Sequence, residues 1–312
     1  GLESCRARAA LLSERLTLLM NSASSEYIHW FETFRTSFRL NLTPLNVAPV
    51  FRSCMEALPS AWVFTSATLA VGDSFEHFAG QLGLDDARRL KLDSPFDYQH
   101  NALLYLPENM PAPNERHYVD AVVACARDVL EASAGRAFVL FTSHSALQSA
   151  AAQLADTLDY PLLVQGTAPR RELLERFREL GNAVLLGTGS FWEGVDVRGA
   201  ALSCVIIDKL PFSSPGDPIL QARIEALREQ GINPFMAYQL PHAVISLKQG
   251  VGRLIRDHSD RGVLVLCDPR LRRKAYGRNF LKSLPNMPST RNVDDVHEFF
   301  AANDAVRVEP VS

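Results

Sequence analysis

The segment Gln249-Gly250-Val251-Gly252-Arg253-Leu254-Ile255-Arg256 sets two arginines three residues apart, just ahead of the apolar run Gly262–Cys267. That interval is close to one helical turn, so the spacing predicts two forked guanidiniums on one face of a helix that leads into a core strand. Such a pair, with Gln249 upstream, suits the negative charge that develops on a phosphoryl group in transfer. The usual partners of these arginines are missing from the sequence. No G-x-x-x-x-G-K-[ST] loop occurs, and no acidic pair closes a strand as a magnesium site requires. The arginines therefore read as half of a phosphate site. The missing half, together with a first residue that is not methionine, predicts a fragment of a longer protein.

A second cluster is Gly187-Thr188-Gly189-Ser190-Phe191-Trp192-Glu193-Gly194-Val195-Asp196. Two glycines and two hydroxyls after an apolar strand can form a backbone nest for a phosphate. Glu193 and Asp196 are acceptors suited to ribose hydroxyls or to an arginine. The plainer alternative is a helix N-terminal turn whose acids complement the helix dipole. Two shorter groups follow apolar runs: Thr65-Ser66-Ala67-Thr68-Leu69, which also reads as an ordinary hydroxyl-capped turn, and Thr142-Ser143. His144 and His242 stand singly and carry no metal reading. Trp62 reads as core packing. Trp192 is open between packing and stacking on a nucleic-acid base.

The elements that must position these groups follow from periodicity. Residues 1–20 read as an amphipathic helix rich in leucine, residues 26–44 as a strand hairpin ending at Pro44, and residues 48–58 as a helix. Trp62-Val63-Phe64 reads as an apolar strand. Beyond residue 100, strands at Ala102–Leu106, Ala137–Phe141, Leu162–Val164, Ala183–Leu186, Cys204–Ile207 and Val263–Leu266 alternate with helices near 115–133, 145–158, 170–179, 218–229, 236–255 and 270–282. Apolar runs without alternation belong to strands buried on both faces, which means an α/β fold with a mostly parallel sheet covered by helices. Ligands of such sheets bind at the carboxyl ends of the strands. Thr142-Ser143, Gly187–Ser190 and Lys209-Leu210-Pro211-Phe212 fall there. Ala301–Ser312 reads as a frayed tail.

Composition narrows the function classes. The formal net charge is −3, so nucleic-acid binding must rest on a local patch. The clearest one, Arg270, Arg272, Arg273, Lys274 and Arg278, reads as a solvated helix face. The five cysteines are isolated, without a C-x-x-C pair, and read as buried reduced thiols of a cytosolic protein rather than metal ligands. No apolar run reaches membrane-spanning length.

Taken in order, the segments resemble the motif set of superfamily 2 helicases. Thr65–Leu69 resembles motif III, Phe141–Ser143 motif IV, Gly187–Asp196 motif V, and Gln249–Arg256 motif VI. Trp-Glu-Gly-Val-Asp, Lys-Leu-Pro-Phe, Asp217-Pro218, Tyr276-Gly277 and Ser283-Leu284-Pro285 are similar to the DinG/XPD-like branch, and within it to the YoaA type. The resemblance runs from about residue 26 to near the end of the chain.

That resemblance implies a P-loop NTPase-type, RecA-like helicase C-terminal domain at 70–312. Ahead of it would lie the C-terminal part of a first motor domain at 26–69 and the end of an inserted helical domain at 1–25. It also implies roles. Arg256 takes the arginine-finger position, Arg253 contacts the γ-phosphate, and Gln249 couples the nucleotide to motion. Glu193 and Asp196, with Gly194 between them, link the nucleotide and DNA sites. Ser66 and Thr68 couple hydrolysis to movement. Thr142, Ser143, Thr188 and Ser190, with Gly187, hold the DNA backbone. ATP with Mg2+ would bind chiefly in the first motor domain, so the 312 residues alone should not hydrolyse it. The branch's iron–sulfur cluster lies upstream of this segment. Single-stranded or forked DNA, a replication clamp-loader accessory protein and the bacterial cytoplasm complete the implied setting, with no membrane role. Two other readings stand beside it: a RecA-like binding module that scaffolds a partner without hydrolysis, and half of an RNA helicase.

Overall fold

A computed structural model of the chain describes residues 1–21, 26–58, 60–192 and 199–307. Two compact units emerge. One joins Gly1–Ala70, Ser74–Arg89 and Ser213–Pro241; the other joins Val71–Asp73, Leu90–Phe212 and the chain from His242 onward.

The first unit holds an antiparallel hairpin, β1 (Tyr27–Thr33) and β2 (Phe38–Pro44), with Thr33 opposite Phe38 and Tyr27 opposite Pro44. Proline ends the second strand because it has no N–H to give a ladder. The helix Ala48–Ala57 follows where it was expected, and Asp217 caps the helix Pro218–Glu229 by accepting from the N–H groups of Ile219 and Leu220. Two expectations change here. The helix Leu2–Met20 forms, but it buries none of its residues, and Leu12 and Leu16 stay more than half exposed. Trp62-Val63-Phe64 is not a strand among the described residues: the segment pairs with no neighbour, and Val63 is 82% exposed. Strand propensity needs a partner ladder to act on. Instead Trp62 and Phe64 stack with centroids 6.3 Å apart, Phe51 meets both rings, and Phe78 packs edge-on against Phe64.

The second unit is built on one parallel sheet. Its strands are β3 (Ala102–Tyr105), β4 (Ala137–Leu140), β5 (Leu162–Val164), β6 (Val184–Gly187), β7 (Cys204–Ile207), β8 (Gly262–Leu266) and β9 (Ser289–Thr290). They lie in the order β5-β6-β4-β7-β8-β3-β9, every pairing parallel. Every residue of β4, β6, β7 and β8 is buried, the burial expected of unalternating apolar strands. Alternate side chains feed two layers. Val139, Leu186, Ile206 and Val265 pack with Val122, Val129 and Leu147 in one cluster. Phe138, one residue along, packs on Phe177 at 4.7 Å. Each fully buried side chain of this size contributes about 1.5–3 kcal/mol, so this double layer carries the unit.

Four boundaries differ from the sequence reading. The helix expected over 236–255 begins as a π-turn at Phe235–Gln239, continues as Leu240–Val251 and stops there. The helix expected over 270–282 is two short ones, Arg270–Arg273 and Gly277–Ser283. Gly277 makes that corner, because a Cβ there would lie 2.0 Å from the Leu271 carbonyl oxygen. Residues 301–307 are not a tail; they continue the helix Val293–Arg307, whose Val296 and Phe300 are buried and whose first turn carries Asp294 and Asp295. β9 was not foreseen at all, being only two residues long. Of the cysteines, Cys204 and Cys267 are buried, whereas Cys5 and Cys54 are exposed.

Candidate functional site

The two arginines do not share a helix face. The helix ends at Val251, and Gly252 through Arg256 leave it through tight turns, Arg253 N–H donating to the Gly250 carbonyl and Leu254 N–H to that of Val251. Two residues impose this. Gly252 lowers helix propensity by about 1 kcal/mol relative to alanine. Asp260, which is buried, then gathers the turn: its Oδ2 accepts from the backbone N–H groups of Arg256 and Asp257, both at 2.8 Å. Leu254 and Ile255 are buried, which anchors the turn from within.

This turn is latched to the chain that leaves β6. Arg253 Nε and Nη2 both donate to the Trp192 carbonyl oxygen, at 3.0 and 2.8 Å. Asp260 Oδ1 accepts from Gly199 N–H at 3.1 Å. Trp192 is buried, and a Cβ on Gly250 would lie 3.0 Å from its ring, a contact tight enough that the ring would have to shift. Trp192 is thus a packing residue and is not presented for stacking on a base. Glu193, Gly194 and Asp196 lie outside the described residues, between the two latch points.

Three neighbouring strands bring the hydroxyl groups together. β4 lies between β6 and β7, so Thr142-Ser143, Gly187-Thr188 and Asp208-Lys209 follow adjacent carboxyl ends. Ser143 caps the helix His144–Ala155, its Oγ accepting from Ala146 N–H at 3.3 Å. Thr142 donates its backbone N–H to Asp208 Oδ1 at 3.0 Å, and its own Oγ1 is buried with no hydrogen-bond partner among the described residues. Thr188 is 7% exposed and gives both its N–H and its hydroxyl to Gln165 Oε1, at 2.6 and 3.1 Å. Gly187 is required by packing, since a Cβ there would meet the Phe191 ring at 2.8 Å. Ser190 lies in the short helix Gly189–Trp192. Gln249 is half-buried near the end of the helix Leu240–Val251. Ser66 and Thr68 belong to the first unit, where their hydroxyls lie 3.2 Å apart in a local turn.

The sequence reading missed Gln165, Asp208, Asp260 and Asp268. A signal was present for two of them: Val-Ile-Ile-Asp and Val-Leu-Cys-Asp are apolar strands that each end in an aspartate. Both carboxylates are buried and engaged within the protein. Asp268 accepts from Leu210 N–H and from the Arg270 guanidinium, whose Nη2 lies 2.6 Å from Oδ2. Asp208 accepts from the N–H groups of Thr142 and Lys209, and its carbonyl accepts from the Tyr118 hydroxyl. Burial pushes the Asp208 carboxyl up to about 7, outweighing the Lys209 charge and the two N–H donors, with Asp268 adding to the rise. Among the described residues no group of three or more histidine, cysteine or acidic side chains is placed to hold a metal.

The Asp208 shift gives a pH prediction. A carboxyl held above its unfolded value binds more protons in the folded state, so its contribution to stability is complete below pH ~4 and is lost as pH rises through about 7. Thermal melts of wild type and Asp208→Asn at pH 5 and pH 8 should show a drop in Tm for wild type that the variant largely lacks. An equal drop in both would mean that Asp208 titrates as it does in the unfolded chain.

Comparison with known proteins is consistent with this geometry. The family model for the helicase C-terminal domain matches residues 126–287. The ATP-dependent DNA helicase YoaA of Escherichia coli K12 is 48% identical over 300 residues, covering 96% of this chain and 47% of that protein. The ATP-dependent helicase DinG of Mycobacterium tuberculosis H37Rv is 36% identical over 261 residues, covering 82% of this chain and 39% of that protein. The chain thus spans less than half the length of these curated relatives. Among solved structures, an XPD helicase superposes with a TM-score of 0.57 at 18% identity, over 85% of this chain and 48% of that one, a likeness of fold. Among the described residues no helix is long and apolar enough to cross a membrane.

Proposed function

We propose that this chain, which belongs to the helicase C-terminal domain family in the DinG/XPD-like branch of superfamily 2, is the second motor domain of an ATP-dependent DNA helicase. The observation that carries the reading is the latch. The turn with Arg253 and Arg256 is tied to Trp192 and to Gly199, the described residues on either side of 193–198. The same β6 delivers Gly187 and Thr188 beside Thr142 and Ser143. A contact at the arginines therefore acts on the strand ends that would hold DNA.

The residues present fit a contribution to ATP with Mg2+ but not its whole site: there are two guanidiniums and no phosphate loop. When bound, the nucleotide supplies the phosphoryl group and the charge that Arg256 answers. In this reading Arg256 stabilises the charge that develops in transfer, and Arg253 holds the Trp192 carbonyl while contacting the γ-phosphate. Gln249, Glu193, Gly194 and Asp196 relay the nucleotide state. Ser143 Oγ–H and Ser190 grip phosphates of single-stranded or forked DNA, on an edge that Thr142, with its buried hydroxyl and its N–H on Asp208, shapes together with Gly187 and Thr188. Ser66 and Thr68 close the relay from the first motor domain, whose C-terminal part we assign to 26–69, after the end of a helical insertion at 1–25. The unpaired segment around Val63 and the uncovered leucines of the first helix support that assignment, as surfaces that further sequence would cover. A bacterial cytoplasmic setting and an upstream iron–sulfur cluster belong to the same proposal.

ATP hydrolysis tests it. The full protein that contains this chain should turn ATP over faster with single-stranded DNA than without, and the 312 residues alone should show no turnover. A folded full protein with no turnover would favour the non-hydrolysing binding module, and stimulation by RNA alone would favour an RNA helicase half. A clamp-loader accessory protein as partner predicts co-purification of the two; none retained in a pull-down would remove it.

A further inference from the structure

From Pro269 to Val293 the sequence holds Arg270, Arg272, Arg273, Lys274, Arg278, Lys282 and Arg291 and no aspartate or glutamate, in a chain whose net charge is −3. The structure sorts these cations. Arg270 is spent on Asp268 and lies over the Phe212 ring at 5.4 Å. Arg272 and Arg291 both face Glu108, at 3.8 and 3.4 Å. Arg273, Lys274, Arg278 and Lys282 are exposed, and no acid pairs with them among the described residues.

The platform under these four is rigid. Leu271 and Phe280 are buried, the rings of Phe212, Tyr276 and Phe280 pack edge to face, and the Gly277 corner is too tight for any side chain. Arg278 and Lys282 are four apart on the helix Gly277–Ser283, on the side away from Phe280. The platform starts at the carboxyl end of β8, beside β7 and two strands from the β4 end that presents Thr142 and Ser143. Adjacent strands lie about 4.8 Å apart, so the β8 end, where this basic segment leaves the sheet, lies roughly 10 Å from the β4 end.

We propose that Arg273, Lys274, Arg278 and Lys282 form a phosphate-binding extension of the DNA edge, holding the single strand beyond the strand-end hydroxyls. The proposal rests on the DNA-motor reading above. Four cations on a packed base, with no acid paired to them among the described residues, bind a polyanion mainly by counterion release, independent of base sequence. The rest of the chain is net acidic, so the segment stands out by its charge.

The test is binding of labelled oligo(dT) to the full protein, as wild type and as the fourfold variant Arg273→Gln, Lys274→Gln, Arg278→Gln, Lys282→Gln, from about 50 to 200 mM salt. At low salt the variant should bind roughly 10- to 100-fold more weakly. Its log–log salt slope should be shallower by about 2 to 3, at about 0.7 per single-strand phosphate contact, and its turnover without DNA should be unchanged. The paired variants Arg273→Gln/Lys274→Gln and Arg278→Gln/Lys282→Gln should each lose part of the slope, which keeps the test open if the fourfold change unsettles folding. The charge-keeping pair Arg273→Lys/Arg278→Lys should restore it. Affinity and slope equal to wild type in the variants would overturn the proposal while leaving the motor reading intact. Wild type that fails to bind oligo(dT) at all would instead overturn the motor reading.

Discussion

Arg256→Ala in the full protein should lower DNA-stimulated ATP turnover by about three orders of magnitude or more, while single-stranded DNA affinity changes by less than about threefold. The asymmetry follows from where Arg256 stands. Its backbone N–H is held by Asp260, and that tie does not depend on the guanidinium. The melting temperature, measured alongside, separates loss of the guanidinium from loss of the fold. What is lost is charge aimed at the transferring phosphoryl group, which acts in the transition state and leaves ground-state DNA binding alone. Arg256→Lys should rescue little, because an ammonium lacks the planar fork. Arg253→Ala should behave differently. Its Nε and Nη2 hold the Trp192 carbonyl, so that variant releases Trp192 from the turn and should weaken DNA stimulation along with turnover. If turnover survives Arg256→Ala in a folded protein, the arginine-finger assignment fails and the binding-module reading leads.

The parts of the fold that could be read from sequence are those decided locally. β4, β6, β7 and β8 are short runs of valine, leucine and isoleucine buried at every position, and no tertiary information is needed to see that. The strand-end motifs follow, because a parallel sheet puts them on one edge. Where a long-range contact decides the outcome, local pattern misleads. Trp62-Val63-Phe64 has the composition of a strand and no ladder to join. The arginine segment has helical spacing, but a carboxylate at Asp260 and a glycine at Gly252 end the helix before either arginine. Arg253 and Arg256 could be singled out as candidates from their type and spacing, whereas their support could not. Trp192, Gly199, Gln165 and Asp208 come to the site through the order of strands in the sheet, which spacing along the chain does not encode.

Asp260→Ala should be the most damaging single change in the second unit that touches no ligand. One buried carboxylate serves three backbone donors, Gly199 N–H on Oδ1 and Arg256 and Asp257 N–H on Oδ2. Hydrogen bonds to a charged acceptor contribute about 1.5–3 kcal/mol each, and their loss here leaves inward-facing N–H groups without an acceptor. Allowing for relaxation, a cost of about 3–5 kcal/mol is expected, a fall of roughly 10 °C or more in the unfolding of that unit. The functional cost should exceed what stability explains. The turn that carries Arg256 loses its tie to Gly199, and a displacement of about 1 Å at a catalytic group costs about 100-fold in rate. Measured well below the melting transition, kcat should therefore fall by about two orders of magnitude with Arg256 still present, while KM for ATP moves less. Asp260→Asn keeps one carbonyl oxygen, enough for Gly199 or for the Arg256–Asp257 pair but not for both, and should recover part of kcat and part of Tm together. A variant that melts earlier yet keeps wild-type kcat would make Asp260 a stability residue alone and would break the link drawn between the latch and the chemistry.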